Sequence, residues 1–402
     1  MHPRVLLPKQ TVQNGTSILL NANNITPPAS RGFETMTKVC YISPISIHSI
    51  RYLEEFHRRG YNTSIIADSQ TWIAPRPTSI PVYTLPQLTR SNFSKQYIPN
   101  LLDTMRTLKE INPDFVHIHA QDYYSPAVIL SRKPFLLTSW GTEVLRLPRE
   151  NPFIRYLAKI TAVKASRITV DAEILKEIWI AQGIPNSKVE VIPFGVDLQT
   201  FNPKADGSKV RQDLKILKDD TVLISTRALH NSHYNVESFI RAIPLILKSH
   251  HNVKFIVKGK GPLEGYLRIL VNKLGVSEHV RFVGIVPHSQ MANYLAAADI
   301  YVSTCFVDTT SVSLLEAMAC GLAPLVTDIP GNREWIENGV NGLLFQPKNP
   351  EELAKKAIQL VENSNERKRF GELCIQTIRH RAAWKDCVAR MERIYQSFPQ
   401  RS

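Results

Sequence analysis

An α/β fold wound from parallel strands is what this sequence predicts, and three observations carry the prediction. First, apolar Lys38–Ser43 is followed by a polar loop, a helical pattern, Gly60 and a second apolar run at Thr63–Ala67. Second, residues 300–328 repeat that grammar. Apolar Ile300–Ser303 gives way to a polar loop, then Val312, Leu315 and Ala319 recur at helical spacing before Gly321 and apolar Ala323–Thr327. Third, polar residues gather where apolar runs end. Uninterrupted apolar runs suit a sheet covered on both faces, and in such sheets ligands sit beyond the carboxyl ends of the strands.

The chain has 402 residues, which favours two domains over one. Residues 1–35, rich in Asn, Thr and Pro, read as a loosely ordered extension. Residues 36–198 form a first Rossmann-like domain and 199–384 a second, and a C-terminal helix over 385–402 is expected to pack back toward the first. In the first domain, His48–Arg59 is a helix with Ile50, Leu53 and Phe56 on one face. Proline-rich Pro75–Pro86 is loop and short strand, and Ile98–Ile111 is a helix. Phe115–His119 and Phe135–Ser139 are strands, the latter ending at Trp140–Glu143. His117 and His119 are assigned to opposite faces of their strand. In the second domain, strands at Thr221–Ser225, Val253–Val257 and Val280–Val283 alternate with helices at Val236–Leu247, Leu263–Leu274 and Ser289–Ala297. The loop after the first strand has no GxGxxG, so an ordinary dinucleotide fingerprint is absent.

Composition narrows the classes further. The five cysteines are scattered without metal-ligand spacing, which argues against a zinc site and a disulfide framework and suits a reducing, cytoplasmic compartment. No apolar run approaches the roughly 20 residues a membrane span needs, and no convincing signal peptide begins the chain. The formal charge is +14. Two readings of it stand: a generally basic surface, or peripheral association with the inner face of an anionic membrane. Nucleic acid is not an expected partner, because Lys and Arg are spread along the chain with no long basic run.

Two doubly wound halves joined by a linker suggest a ligand in the cleft between them. The motifs then bring a family to view: VIPFGVD (Val191–Asp197), TRAL (Thr226–Leu229), VKGKGP (Val257–Pro262), Val280–Ser303 and Leu314–Phe345. Their wording and order resemble the retaining glycosyltransferases of family 4, strongly over roughly residues 195–385 and more weakly over about 37–194. The resemblance implies a GT-B fold, with two Rossmann-like domains facing across a cleft. It implies transfer of a hexosyl unit from a nucleotide-diphosphate sugar to a hydroxyl acceptor, a glycan or a lipid-linked intermediate. No metal and no cofactor beyond the donor itself are expected.

The same resemblance assigns residues. The family has two acids eight positions apart, usually both Glu, and here they are Asp308 and Glu316. Glu316 is implied to bind the ribose hydroxyls and Asp308 the donor sugar, although Asp is one methylene shorter. A capping-box role for Glu316 with Ser313 is the alternative. Between the acids, Thr309, Thr310, Ser311 and Val312 are expected to meet the diphosphate at a helix N-terminus, or simply to cap the helix. Arg227 fits the family's diphosphate clamp. The family's clamp lysine is replaced by Tyr234, and Lys258 or Lys260 is the candidate substitute. Gly259, on the same turn, either lines the donor site or only permits the turn. In the first domain, His119 and Glu143 are candidates near the sugar or the acceptor, with a core role as the alternative for His119. Epimerisation or hydrolysis of a nucleotide sugar, or non-catalytic binding of one, are the rival functions.

Overall fold

The computed structural model describes residues 36–68, 77, 79–89, 91, 93–119, 123–141, 144, 152–230 and 232–399. Expectations for residues 1–35 and for Glu143 lie outside the described residues. The chain groups into two units, one holding the described residues through Thr169 together with those from Arg393 onward, the other Val170–Glu392.

One sheet is built from β1 (Lys38–Ile42), β2 (Asn62–Asp68), β3 (Val82–Leu85), β4 (Phe115–His119), β5 (Phe135–Ser139), β6 (Arg167–Val170) and β7 (Val189–Val191), in the order β3-β2-β1-β4-β5-β6-β7. The pairings of β1 with β2 and β4, of β2 with β3 and of β4 with β5 are parallel. Every residue of β4 and β5 is buried, as strands covered on both faces must be. The helix expected from Ile98 begins earlier, at Phe93. The Phe93 and Tyr97 rings stack one turn apart at 4.9 Å, which carries the apolar face further back than the main periodicity indicates.

The second sheet comprises β8 (Thr221–Ser225), β9 (Val253–Lys258), β10 (Val280–Gly284), β11 (Ile300–Ser303), β12 (Ala323–Thr327) and β13 (Leu343–Phe345), all parallel, in the order β10-β9-β8-β11-β12-β13. Alternation along β8 divides the core. Leu223 joins Phe239, Ile243, Phe255 and Phe370 on one side, while Val222 and Ile224 join Leu314, Met318, Trp335 and Ile378 on the other. The sheet is therefore sandwiched by helices. Its strand order reverses between β8 and β11, and parallel strands on either side of such a reversal leave an opening above their carboxyl ends. In the first sheet the reversal lies between β1 and β4.

The expectation that His117 and His119 face opposite sides fails. Positions two apart on a strand share a face, and the two rings lie 4.0 Å apart with His119 Nε2 3.2 Å from His117 Nδ1. His117 Nδ1 also meets the Tyr395 hydroxyl at 2.5 Å and its Nε2 meets Thr138 Oγ1 at 2.6 Å. Tyr395 completes the chain by meeting the Tyr41 hydroxyl at 2.6 Å.

Burial governs how this cluster titrates. Burial, reinforced by the neighbouring His48, pushes His119 down to about 3, and burial with His119 beside it pushes His117 well below its ordinary range. In the unfolded chain both rings take a proton near pH 6.5, whereas the folded state keeps them neutral. The stabilisation is therefore complete above about pH 6.5 and is lost as pH falls toward the depressed folded values. Each histidine contributes a slope of at most about 1.4 kcal/mol per pH unit in that window. The expected result is that urea midpoints fall between pH 6.5 and 4 and that His119→Gln flattens the curve. An unchanged slope in that variant would show that His119 is not held neutral.

Candidate donor site at the strand reversal of the second sheet

Arg227 stands two residues beyond β8 and Asp308 five beyond β11, so the strands flanking the reversal deliver them to the same edge. Their side chains form an ion pair, Arg227 Nη2 to Asp308 Oδ2, and Arg227 Nε donates to Ser303 Oγ at 3.1 Å. Both side chains are largely buried, with 10% and 21% exposure. Burial works against the guanidinium charge, but the Asp308 carboxylate, together with Tyr301 and Cys305, holds Arg227 above its ordinary value. The Tyr234 ring centroid lies 5.5 Å from that guanidinium. That places an aromatic face against the cation.

Asp308 Oδ1 accepts from the Thr309 amide at 3.0 Å. An ionised carboxylate has about four acceptor positions, so two bonds leave capacity for more. Ser311 caps the Val312–Ala319 helix, its hydroxyl accepting from the Leu314 amide at 3.3 Å. The amides of Val312 and Ser313 fall in the first turn, where no intrahelical acceptor exists. Thr309 and Thr310 are turned elsewhere. The Thr309 hydroxyl donates to Asp171 Oδ2 at 2.8 Å, the Thr310 hydroxyl to the Asp171 carbonyl at 2.7 Å, and the Thr310 amide to Asp171 Oδ2 at 3.3 Å. Of the four positions expected near a diphosphate, the structure thus commits two to Asp171 and one hydroxyl to capping.

Glu316 lies on the second turn of the same helix, 6% exposed. It makes no capping box with Ser313, because Ser311 is the cap. Its Oε1 meets His288 Nε2 at 2.7 Å. Lys258, at the end of β9, is half-buried; burial lowers its pKa and the Glu316 charge opposes that shift. Lys260 is exposed.

Two glycines fix the backbone around these groups. Gly259 has φ +138°, and a Cβ there would stand 2.3 Å from the Arg227 carbonyl oxygen. Gly331 would place a Cβ 1.9 Å from the Thr309 carbonyl and 2.7 Å from that of Asp308. Each lets a neighbouring segment touch a loop that carries a site residue. Gly259→Ala is expected to destabilise the fold by about 1–3 kcal/mol and to weaken nucleotide binding through displacement of Arg227. Urea unfolding alongside calorimetric titration checks both, and a change in neither would remove the close approach as the reason for glycine.

His119 ends β4 in the first unit and is fully buried, with its Nδ1 lacking a hydrogen-bond partner among the described residues. The Trp140 ring lies 5.3 Å from it. Sequence reasoning missed His288, Ser303, Asp171 and Gly331. Ser303 and Asp171 carried a legible signal, since each is a polar residue at a strand's carboxyl end. No group of three or more His, Cys, Asp or Glu side chains able to hold a metal occurs among the described residues. No described helix is long and apolar enough to cross a membrane.

Comparison with solved structures defines the class. A sucrose-phosphate synthase from Thermosynechococcus elongatus superposes with a TM-score of 0.76 at 15% identity, covering 90% of this chain and 98% of that one. Anabaena HepE, solved with UDP and glucose, gives 0.76 at 18% identity, covering 90% and 100%. The fold is GT-B, the two-sheet α/β architecture of these glycosyltransferases. Residues 206–375 match the family described as Glycosyl transferases group 1, and residues 38–172 match Glycosyl transferase 4-like. The chain belongs to the group 1 glycosyltransferase family. Among curated relatives, a putative glycosyltransferase of Bacillus subtilis, EpsD, is 23% identical over 83% of this chain and 90% of its own length. The N-acetyl-alpha-D-glucosaminyl L-malate synthase of Bacillus anthracis is 25% identical over 75% and 80%. An uncharacterized glycosyltransferase of Methanocaldococcus jannaschii is 27% identical over 59% of this chain, a stretch spanning 64% of that relative.

Proposed function

We propose that this protein transfers a hexosyl unit from a nucleoside diphosphate sugar to a hydroxyl acceptor with retention of anomeric configuration. The observation that carries the reading is the Arg227–Asp308 pair beside the start of the Val312–Ala319 helix, at the strand reversal of the second sheet. A cation and a helix N-terminus together favour a diphosphate, and a buried carboxylate one turn further along favours vicinal hydroxyls. The donor's diphosphate takes Arg227 and the first-turn amides, its ribose takes Glu316, and its sugar takes the remaining acceptor positions of Asp308.

In the reaction the acceptor hydroxyl attacks the anomeric carbon on the face the diphosphate leaves. The bond from that carbon to the phosphate oxygen breaks, the bond to the acceptor oxygen forms, and the acceptor proton passes to the departing phosphate oxygen. Arg227 and the helix N-terminus stabilise the growing negative charge, and the remaining contribution is positioning. These groups supply the countercharge that a divalent ion supplies elsewhere, so activity is expected to survive EDTA. The net charge of +14 supports an acceptor presented at an anionic membrane face, lipid-linked or glycan. Co-sedimentation with vesicles containing phosphatidylglycerol, set against neutral vesicles, tests that part separately.

A thermal-shift screen of UDP-, GDP- and ADP-sugars, followed by NMR of the products, tests the whole. Stabilisation by a donor and an α-linked product from an α-linked donor are expected. An isomerised donor would establish an epimerase, free sugar without acceptor product a hydrolase, and binding without turnover on any acceptor a non-catalytic role.

A further inference from the structure

We infer that His288 is a positioning residue that holds the Glu316 carboxylate with one oxygen occupied and the other open to a ribose hydroxyl. The inference rests on the donor-site reading above and adds a residue to it. Glu316 is almost enclosed, its side chain 8% exposed, and an ionised carboxylate at such a place needs a partner. Its own helix supplies none: of the positions three and four residues away, Val312 and Ala319 carry no donor, Cys320 makes no hydrogen bond to it, and the Ser313 hydroxyl is engaged with Tyr301 and Ser311. The restraint therefore comes from another element. His288 opens the short 3-10 turn after β10, with Pro287 before it at φ −55°. Proline limits the backbone freedom of that turn. The Phe201 ring, itself buried, lies 5.2 Å from the imidazole. Backbone and ring together direct Nε2 at Glu316 Oε1, 2.7 Å away. Among the described residues no other hydrogen bond reaches the carboxylate, which leaves Oε2 as acceptor. Lys258 faces the same carboxylate electrostatically, but with no hydrogen bond to fix its orientation.

This arrangement has a consequence that separates positioning from plain structural support. If His288 acts through Glu316, its removal weakens the contact with ribose hydroxyls and nothing else in the nucleotide. UDP, GDP and ADP are titrated calorimetrically into the full chain, and the tightest binder is compared with its 2′,3′-dideoxy analogue. His288→Ala is expected to weaken the ribonucleotide about three- to tenfold and the dideoxy analogue less than about twofold. His288→Gln, whose amide nitrogen can occupy the Nε2 position, is expected to recover most of the loss. In turnover assays His288→Ala raises the donor KM with kcat little changed, as loss of uniform binding requires. Equal weakening of both nucleotides, tighter ribonucleotide binding, or no rescue by Gln would overturn the inference. Glu316→Ala is the control for the reading beneath it. If that variant binds the ribonucleotide as wild type does, or if no nucleotide binds the wild-type chain, the donor-site reading itself fails.

Discussion

Arg227→Ala is expected to lower turnover at saturating donor by about a hundredfold or more, the usual cost of removing one preorganised donor to developing negative charge. The nucleoside without phosphates should bind this variant as it binds wild type, because the proposed arrangement sets Arg227 against the charged part of the donor alone. Arg227→Lys should recover little. A single ammonium has no planar fork with which to meet both Ser303 and Asp308. The ion pair adds a second expectation. Removing one member of a largely buried pair leaves the other uncompensated, so Arg227→Ala should destabilise the fold more than the Arg227→Ala, Asp308→Ala double variant does. Because a guanidinium stays protonated throughout the working pH range, no acidic or alkaline limb of the rate profile is expected from Arg227. Turnover within a few-fold of wild type would remove Arg227 from the leaving-group side.

Tyr395→Ala is expected to produce the largest loss of stability, about 3–5 kcal/mol. The side chain is fully buried, its ring stacks on Phe56 at 4.1 Å, and its hydroxyl joins Tyr41 and His117. Tyr395→Phe keeps the ring and leaves two buried polar groups without that partner, so a smaller loss of about 1–3 kcal/mol is expected. The difference between the two variants separates packing from hydrogen bonding. Urea unfolding followed by tryptophan fluorescence reads it, with more than one transition anticipated in a chain of two units. A Tyr395→Ala protein within about 1 kcal/mol of wild type would show that the segment from Arg393 onward contributes little to the first unit.

Much of the fold was legible because its signals are local. Apolar runs ending in polar residues located the strands, and a glycine after a periodic stretch marked helix ends such as Gly60, Gly183 and Gly321. The family wording located Arg227, Asp308 and Glu316, and the structure sets the first two side by side. It was less informative about what surrounds them. Thr309 and Thr310 read as groups that meet a diphosphate or cap the helix, yet both turn to Asp171, a residue 138 positions from Thr309. His117 and His119 were assigned to opposite faces although a period of two puts them on one. That error lay in applying the rule, not in the sequence.

By itself, then, the sequence determined which chemical groups stand at strand ends and how far apart they lie along the chain, because spacing and local propensity are properties of neighbouring residues. Which group meets which was decided only by the tertiary structure. Arg227 and Asp308 are 81 residues apart and His288 and Glu316 are 28. Parallel strands need a crossover between each pair, so residues that end adjacent strands are distant in sequence. The order β10-β9-β8-β11 converts those separations into contacts, Arg227 with Asp308 and His288 with Glu316.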